Sequence, residues 1–195
     1  MGSEPKEEIT DRFSAAADWS DHFDKSIRTE STRAKVVLSV CYLDELLRQL
    51  VEMLLKPAAE NDDSLLDGPE APLSSVSAKI DLGWRMGAIP DDTRTSLHLV
   101  RKIRNRFAHR LATCDFDDPK IRSWNSELHK LNDHATADRR ATFSDGPVGD
   151  FETSVSWLVF WLKHIIQTIP SACPRCGSEM EHRAKIKAAR PGEHG

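Results

Sequence analysis

The residues of this chain best suited to chemistry lie in one stretch, Asp91 to Leu111, which reads DDTRTSLHLVRKIRNRFAHRL. His98, Arg101, Asn105 and His109 recur at spacings of three, four and four, so on a helix they share one face. Arg94, Arg101, Lys102, Arg104, Arg106 and Arg110 supply six cations, and no acid occurs from Thr93 to Cys114. Guanidinium groups hold phosphate oxygens through paired N–H donors, and imidazole moves protons near neutral pH. The stripe therefore has the side chains to recognise or cleave a phosphodiester. Arg104 stands out of phase, between Val100, Phe107 and Ala108 and toward the apolar side. A buried guanidinium without a partner is costly. Arg104 is then either structural, snorkelling to the rim or clamping a loop, or a positive charge held at such a site.

Two other groups of residues could do chemistry. Asp44 and Glu45, in CYLDELL, lie on the polar side of an earlier helix. They are either an ordinary solvated face or partners for Arg101 or Arg104 across a helix pair. Cys173 and Cys176, in CPRCG, have the spacing of one zinc knuckle, and Gly177 permits its tight turn. A closed site wants four ligands, from His182 and His194 or from a second copy of the chain; otherwise the knuckle is vestigial. No βαβ pattern precedes it, which argues against a redox role. The chain contains no Gly-rich phosphate loop, no HExxH and no recognisable Ser/His/Asp arrangement.

These residues need helices to position them. The central stretch opens with Pro90, Asp91 and Asp92, as helix starts do, and Leu97, Val100, Ile103, Phe107 and Leu111 form its apolar face. Before it, a long amphipathic helix begins at the cap cluster Thr29–Thr32 and closes at Pro57, with Val36, Val37, Val40, Leu43, Leu47, Leu50, Val51 and Leu54 inward. An acidic connection follows, with a turn at Asp67-Gly68-Pro69 and Leu65 and Leu66 tucked onto the core. A shorter helix from Ser74 to about Met86 carries Val76, Ile80, Gly83 and Trp84; Gly83 suits a close helix crossing. Asp118-Pro119 starts another helix with Ile121, Trp124, Leu128 and Leu131 on its face. A last one, about Asp150 to Ile169, ends at Pro170.

The reading is an all-α bundle of about five helices, divided as an acidic arm (1–28), a helical domain (29–170) and a Cys-bearing tail (171–195). The arm has seven acids against four bases and few apolar residues, which suits a flexible segment or one short helix docking by its aromatics. A net charge of −4 excludes binding of polyanions by bulk electrostatics, leaving only a local patch such as the central helix. Four cysteines so placed are no secreted disulfide framework. The first thirty residues lack an apolar signal-peptide core, and Ser156 to Ile169 is too short to span a bilayer, so a cytoplasmic protein with no membrane contact is expected.

Between Glu30 and Leu131 the chain resembles the mannitol operon repressor family. The resemblance rests on STRAKVVLSVCYLDELLRQLVEMLL, on DSLLDGPEAPLSSVSAKIDLGWRMGAIPDD, and on LHLVRKIRNRFAH followed by FDDP, in that order and spacing. It implies an all-helical transcriptional regulator of repressor type that lacks a familiar DNA-binding motif and acts through a regulatory protein partner. More broadly, Arg104 and His109 with four residues between them are similar to the Arg–His motif of HEPN domains, helical bundles some of which cleave RNA. That resemblance implies a metal-independent ribonuclease in a homodimer, with Arg104 on the phosphate, His109 as acid–base or orienting group, and Asn105 as the motif's polar residue. Many HEPN relatives are binding modules without activity, and the leading expectation here is macromolecular binding by His98, Arg101, Asn105, Asp44 and Glu45. Direct reading of a DNA sequence is not expected, because no exposed recognition helix follows a turn.

Overall fold

The computed structural model describes residues 21–55, 63–110, 114–136, 143 and 145–172. Within them the chain is helical and turn-like, with no strand. Helix α1 is described over 21–27, followed by α2 (Thr32–Leu54), α3 (Val76–Arg85), α4 (Asp91–His109), α5 (Pro119–Thr136) and α6 (Pro147–Ala172). Helices α2, α4, α5 and α6 form the bundle, and α3 lies against α2 and α4.

Local chemistry sets the helix starts. Ser31 and Ser75 cap α2 and α3 by accepting from the backbone N–H groups of Ala34 and Ala78. Asp118 accepts from the N–H groups of Lys120 and Ile121, with Pro119 at the first helical position of α5. The core expected of α2 is present, from Val36 to Val51, although Val37 and Leu54 are only half-buried and Leu46 joins the interior. Helix α6 is longer than its pattern suggested. It starts at Pro147 and continues through Pro170 to Ala172, since a proline so near the end removes one backbone donor without interrupting the helix before it.

The interior also takes residues that periodicity did not single out. Phe23 and Ile27 of α1 are fully buried, so the described end of the acidic segment belongs to the core. Asp24 is buried beside them and accepts from Ser156 Oγ at 2.9 Å. Phe116, in the turn before α5, stands between Phe107 of α4 and Phe151 of α6, with ring centroids 5.5 and 5.4 Å apart. Leu66 is buried as expected, but Leu65 is 43% exposed, because the turn that buries one leucine directs its neighbour to solvent.

Gly83 does mark a close approach. A Cβ there would lie 2.7 Å from Ile89 Cδ1 and 3.6 Å from Leu50 Cδ2, so the α3–α4 link folds back onto this glycine. Gly87, at φ +75°, then reverses the chain between α3 and α4.

Candidate binding clefts along helix α4

Helix α4 is anchored at both ends. At its start, Arg94 donates twice to Asp81 Oδ1 of α3, at 2.9 and 2.7 Å, and its guanidinium carbon lies 4.4 Å from the Trp84 ring centroid. Trp84 Nε1 in turn donates to Asp91 at 2.6 Å. At its end, Arg33 of α2 donates to the carbonyls of Phe107 and Arg110, satisfying groups that a helix terminus leaves open. Arg106 clamps Asp118 with two hydrogen bonds, of 2.9 and 2.6 Å. The Arg106 guanidinium, helped by the two α5 amides, holds the Asp118 carboxyl down at about 2. Arg110 reaches the same carboxylate at 3.6 Å.

Between those anchors the basic stripe divides. His98 faces α3, with Nε2 3.3 Å from Asp81 Oδ1. Burial lowers its pKa below the usual imidazole value, and Asp81, which acts the other way, does not overcome it. His98 is therefore a neutral, packed imidazole at neutral pH rather than an open binding group.

Arg101, Arg104 and Asn105 line a cleft of about 260 Å³ between α2, α3 and α4, facing Asp44 of α2 and Ser75 and Ser77 of α3. Val40, Val76 and the exposed Cys41 complete its wall. Arg104 is half-buried rather than sunk in the core, and it lines the cleft. Its Nη1 donates to Asn105 Oδ1 at 3.2 Å. The Nε atoms of Arg101 and Arg104 are both buried and have no acceptor among the described residues.

Of the two alternatives for Asp44 and Glu45, a solvated face or pairing with Arg101 or Arg104, the pairing is not found among the described contacts. Lys79 of α3, itself buried, places Nζ 2.8 Å from Asp44 Oδ1. A lysine held in the α2–α3 crossing is nearer to that carboxylate than the cations of α4. Glu45 is exposed and accepts from Gln49 Nε2 at 3.0 Å, one turn along its own helix. Asp44 thus belongs to the cleft without neutralising its arginines, and Glu45 stands outside it.

His109 opens into a second, shallower cleft toward α5, with Lys102, Asn105, Arg106, Arg110 and Trp124. The five-residue step from Arg104 to His109 turns the two side chains about 140° apart on an α-helix. Asn105 borders both clefts.

Among the described residues no group of three or more His, Cys, Asp or Glu could hold a metal ion, and no helix is long and apolar enough to cross a membrane. Cys173, Cys176, His182 and His194 lie outside the described residues, so the zinc knuckle remains an expectation of the sequence. Sequence reasoning did not foresee Ser75, Ser77 and Cys41 as cleft residues. No family model, curated protein or solved structure matches the chain.

Proposed function

We propose that this chain is a cytoplasmic regulatory protein of the mannitol operon repressor type, which represses by binding a macromolecular partner through helix α4 and not by catalysis. The observation that carries this reading is the separation of Arg104 and His109 into different clefts of one chain. A phosphodiester held on Arg104 has no imidazole beside it among the described residues, whereas cations directed outward along a helix suit an acidic protein surface. Lys102, exposed beside the second cleft, is the natural centre of such a contact.

The test is transcriptional. Deleting the gene raises transcripts of a sugar-alcohol uptake operon, Lys102→Glu raises them alike, and His109→Ala does not. Unchanged transcripts in the deletion strain would refute repression. A footprint on operator DNA by the purified protein alone would refute action through a partner.

A second reading is an endoribonuclease assembled from two copies, with Arg104 of one chain and His109 of the other flanking the RNA. It is favoured by Asn105 bordering both clefts. Purified protein that cleaves RNA, with activity lost in His109→Ala and restored by mixing His109→Ala with Arg104→Ala chains, would establish it. No cleavage by the wild type removes it.

A further inference from the structure

We infer that the cleft between α2, α3 and α4 is a binding site for a small ligand with a terminal phosphoryl group, a phosphomonoester or free phosphate, held by Arg101 and Arg104. This goes beyond the regulatory reading and does not rest on it.

The argument starts from charge. Two guanidinium groups line one cleft, and Asp44, the one carboxylate among its described lining residues, is already paired with Lys79 at 2.8 Å. The site therefore keeps an excess of two positive charges, partly shielded from water, where like charges repel more strongly than at an open surface. Both Nε–H groups are buried without acceptors among the described residues, a state proteins seldom leave uncompensated. A dianion entering the cleft would relieve the repulsion, and the buried Nε–H groups would gain an acceptor as the guanidinium groups turn toward it.

The donors are too many for a carboxylate, which one bidentate arginine satisfies. Besides the two guanidinium groups, Asn105 lines the cleft, and so do the first residues of α3. Ser75 uses its hydroxyl oxygen to accept from Ala78, which leaves its O–H free to donate. The backbone N–H groups of Val76 and Ser77 have no intrahelical acceptor, and the positive end of the α3 dipole lies there. A tetrahedral phosphoryl group has the oxygens to engage donors arriving from two helices. The cleft, at about 260 Å³, is smaller than the usual pocket for a drug-sized ligand, and Val40 and Val76 give the ligand's organic part an apolar wall. The match of two guanidinium charges to a dianion favours a terminal phosphoryl group over the singly charged diester of a nucleic-acid chain.

The experiment is thermal unfolding of the full chain with inorganic phosphate, phenyl phosphate, acetate and a dinucleoside monophosphate, each against sodium chloride of equal ionic strength. Inorganic phosphate at tenfold excess over its dissociation constant raises Tm by about 3 °C or more, and ³¹P line broadening reports the same binding directly. Both effects vanish in Arg101→Gln/Arg104→Gln and persist in Lys102→Gln; Arg101→Gln alone replaces the double variant if that fails to fold. A larger shift with phenyl phosphate identifies an organic monoester, and an equal or smaller one free phosphate; either supports the site. Absence of a phosphate-specific shift, survival of the shift in the arginine variants, an equal response to acetate, or preference for the dinucleotide diester each overturns the inference.

Discussion

Replacing Arg104 with Ala tests how well the geometry of α4 is understood. Its helical phase alone puts Arg104 toward the core, and loss of a buried paired charge of that kind costs on the order of 3 kcal/mol. The structure argues for much less. Arg104 is half-buried, and among the described residues its one side-chain hydrogen bond is the 3.2 Å contact to the adjacent Asn105. A hydrogen bond to a charged group contributes at most about 1.5–3 kcal/mol, and one between sequence neighbours at a cleft edge belongs at the bottom of that range. Against this loss stands removal of a buried Nε that has no acceptor among the described residues, which returns about 1–3 kcal/mol. Repulsion from Arg101 disappears too, and alanine is slightly the better helix former. The terms nearly cancel, so Arg104→Ala should change stability by less than about 1 kcal/mol, or about 2–4 °C in Tm. Urea unfolding with unchanged slope is the assay. A loss near 3 kcal/mol would show that a partner anchors the guanidinium, and the open cleft described above would be wrong.

Four further outcomes are expected. Glu152 is buried and pairs with Lys35; Glu152→Ala should cost about 3 kcal/mol in urea unfolding, and a loss under about 1 kcal/mol would show the pair to be dispensable. The Asp118 carboxyl is depressed to about 2 by Arg106, so its contribution is complete above an unfolded value of about 4 and is lost as pH falls through the folded value; the stability gap between wild type and Asp118→Asn should therefore close between those limits, and a constant gap would refute the linkage. His98, depressed mainly by burial, favours its neutral form when folded, so its contribution is present above about pH 6.5 and lost as pH falls through the depressed value; NMR titration should find its pKa below the ordinary imidazole value and lower still in Asp81→Asn. His109 is exposed, and His109→Ala should leave stability within about 0.5 kcal/mol by thermal and urea unfolding.

The all-α fold was legible because it rests on signals that survive without tertiary knowledge. Apolar residues repeat at helical spacing, Ser31 and Ser75 stand where caps are needed, and Asp118-Pro119 marks a start that the structure reproduces. Phe23 is one of the aromatics expected to dock the arm if it forms a short helix, but Ile27 and Phe116 escaped notice because they lie in segments too short or too polar to show a period. The residues of α4 could be named from spacing, but their partners could not. Whether Asp44 meets Arg104 or Lys79 depends on where α3 crosses α2, and Gly83 hinted at that crossing without giving its geometry. Leu65 failed for a similar reason, since adjacent apolar residues in a turn cannot both face the core.

The central basic stretch looks uniform as a string of letters, and the fold sorts it by what each cation touches. Arg94 is taken up by Asp81 and the Trp84 ring, Arg106 by Asp118, and Arg110 approaches that same carboxylate. These residues hold α4 to α3 and to the start of α5, so their charge is largely spent within the molecule. Arg101, Lys102 and Arg104 have no carboxylate within ion-pair distance among the described residues, and they occupy one turn at the middle of the helix. Clamping both ends makes that turn a rigid platform, and rigidity lowers the entropy lost when a charged ligand or partner is bound. Net charge gives no sign of this, because the acids that balance the chain overall are elsewhere or already paired. Function is therefore sought in the middle of α4, where three cations have no carboxylate partner among the described residues, and not at its ends, where three others are committed to the scaffold.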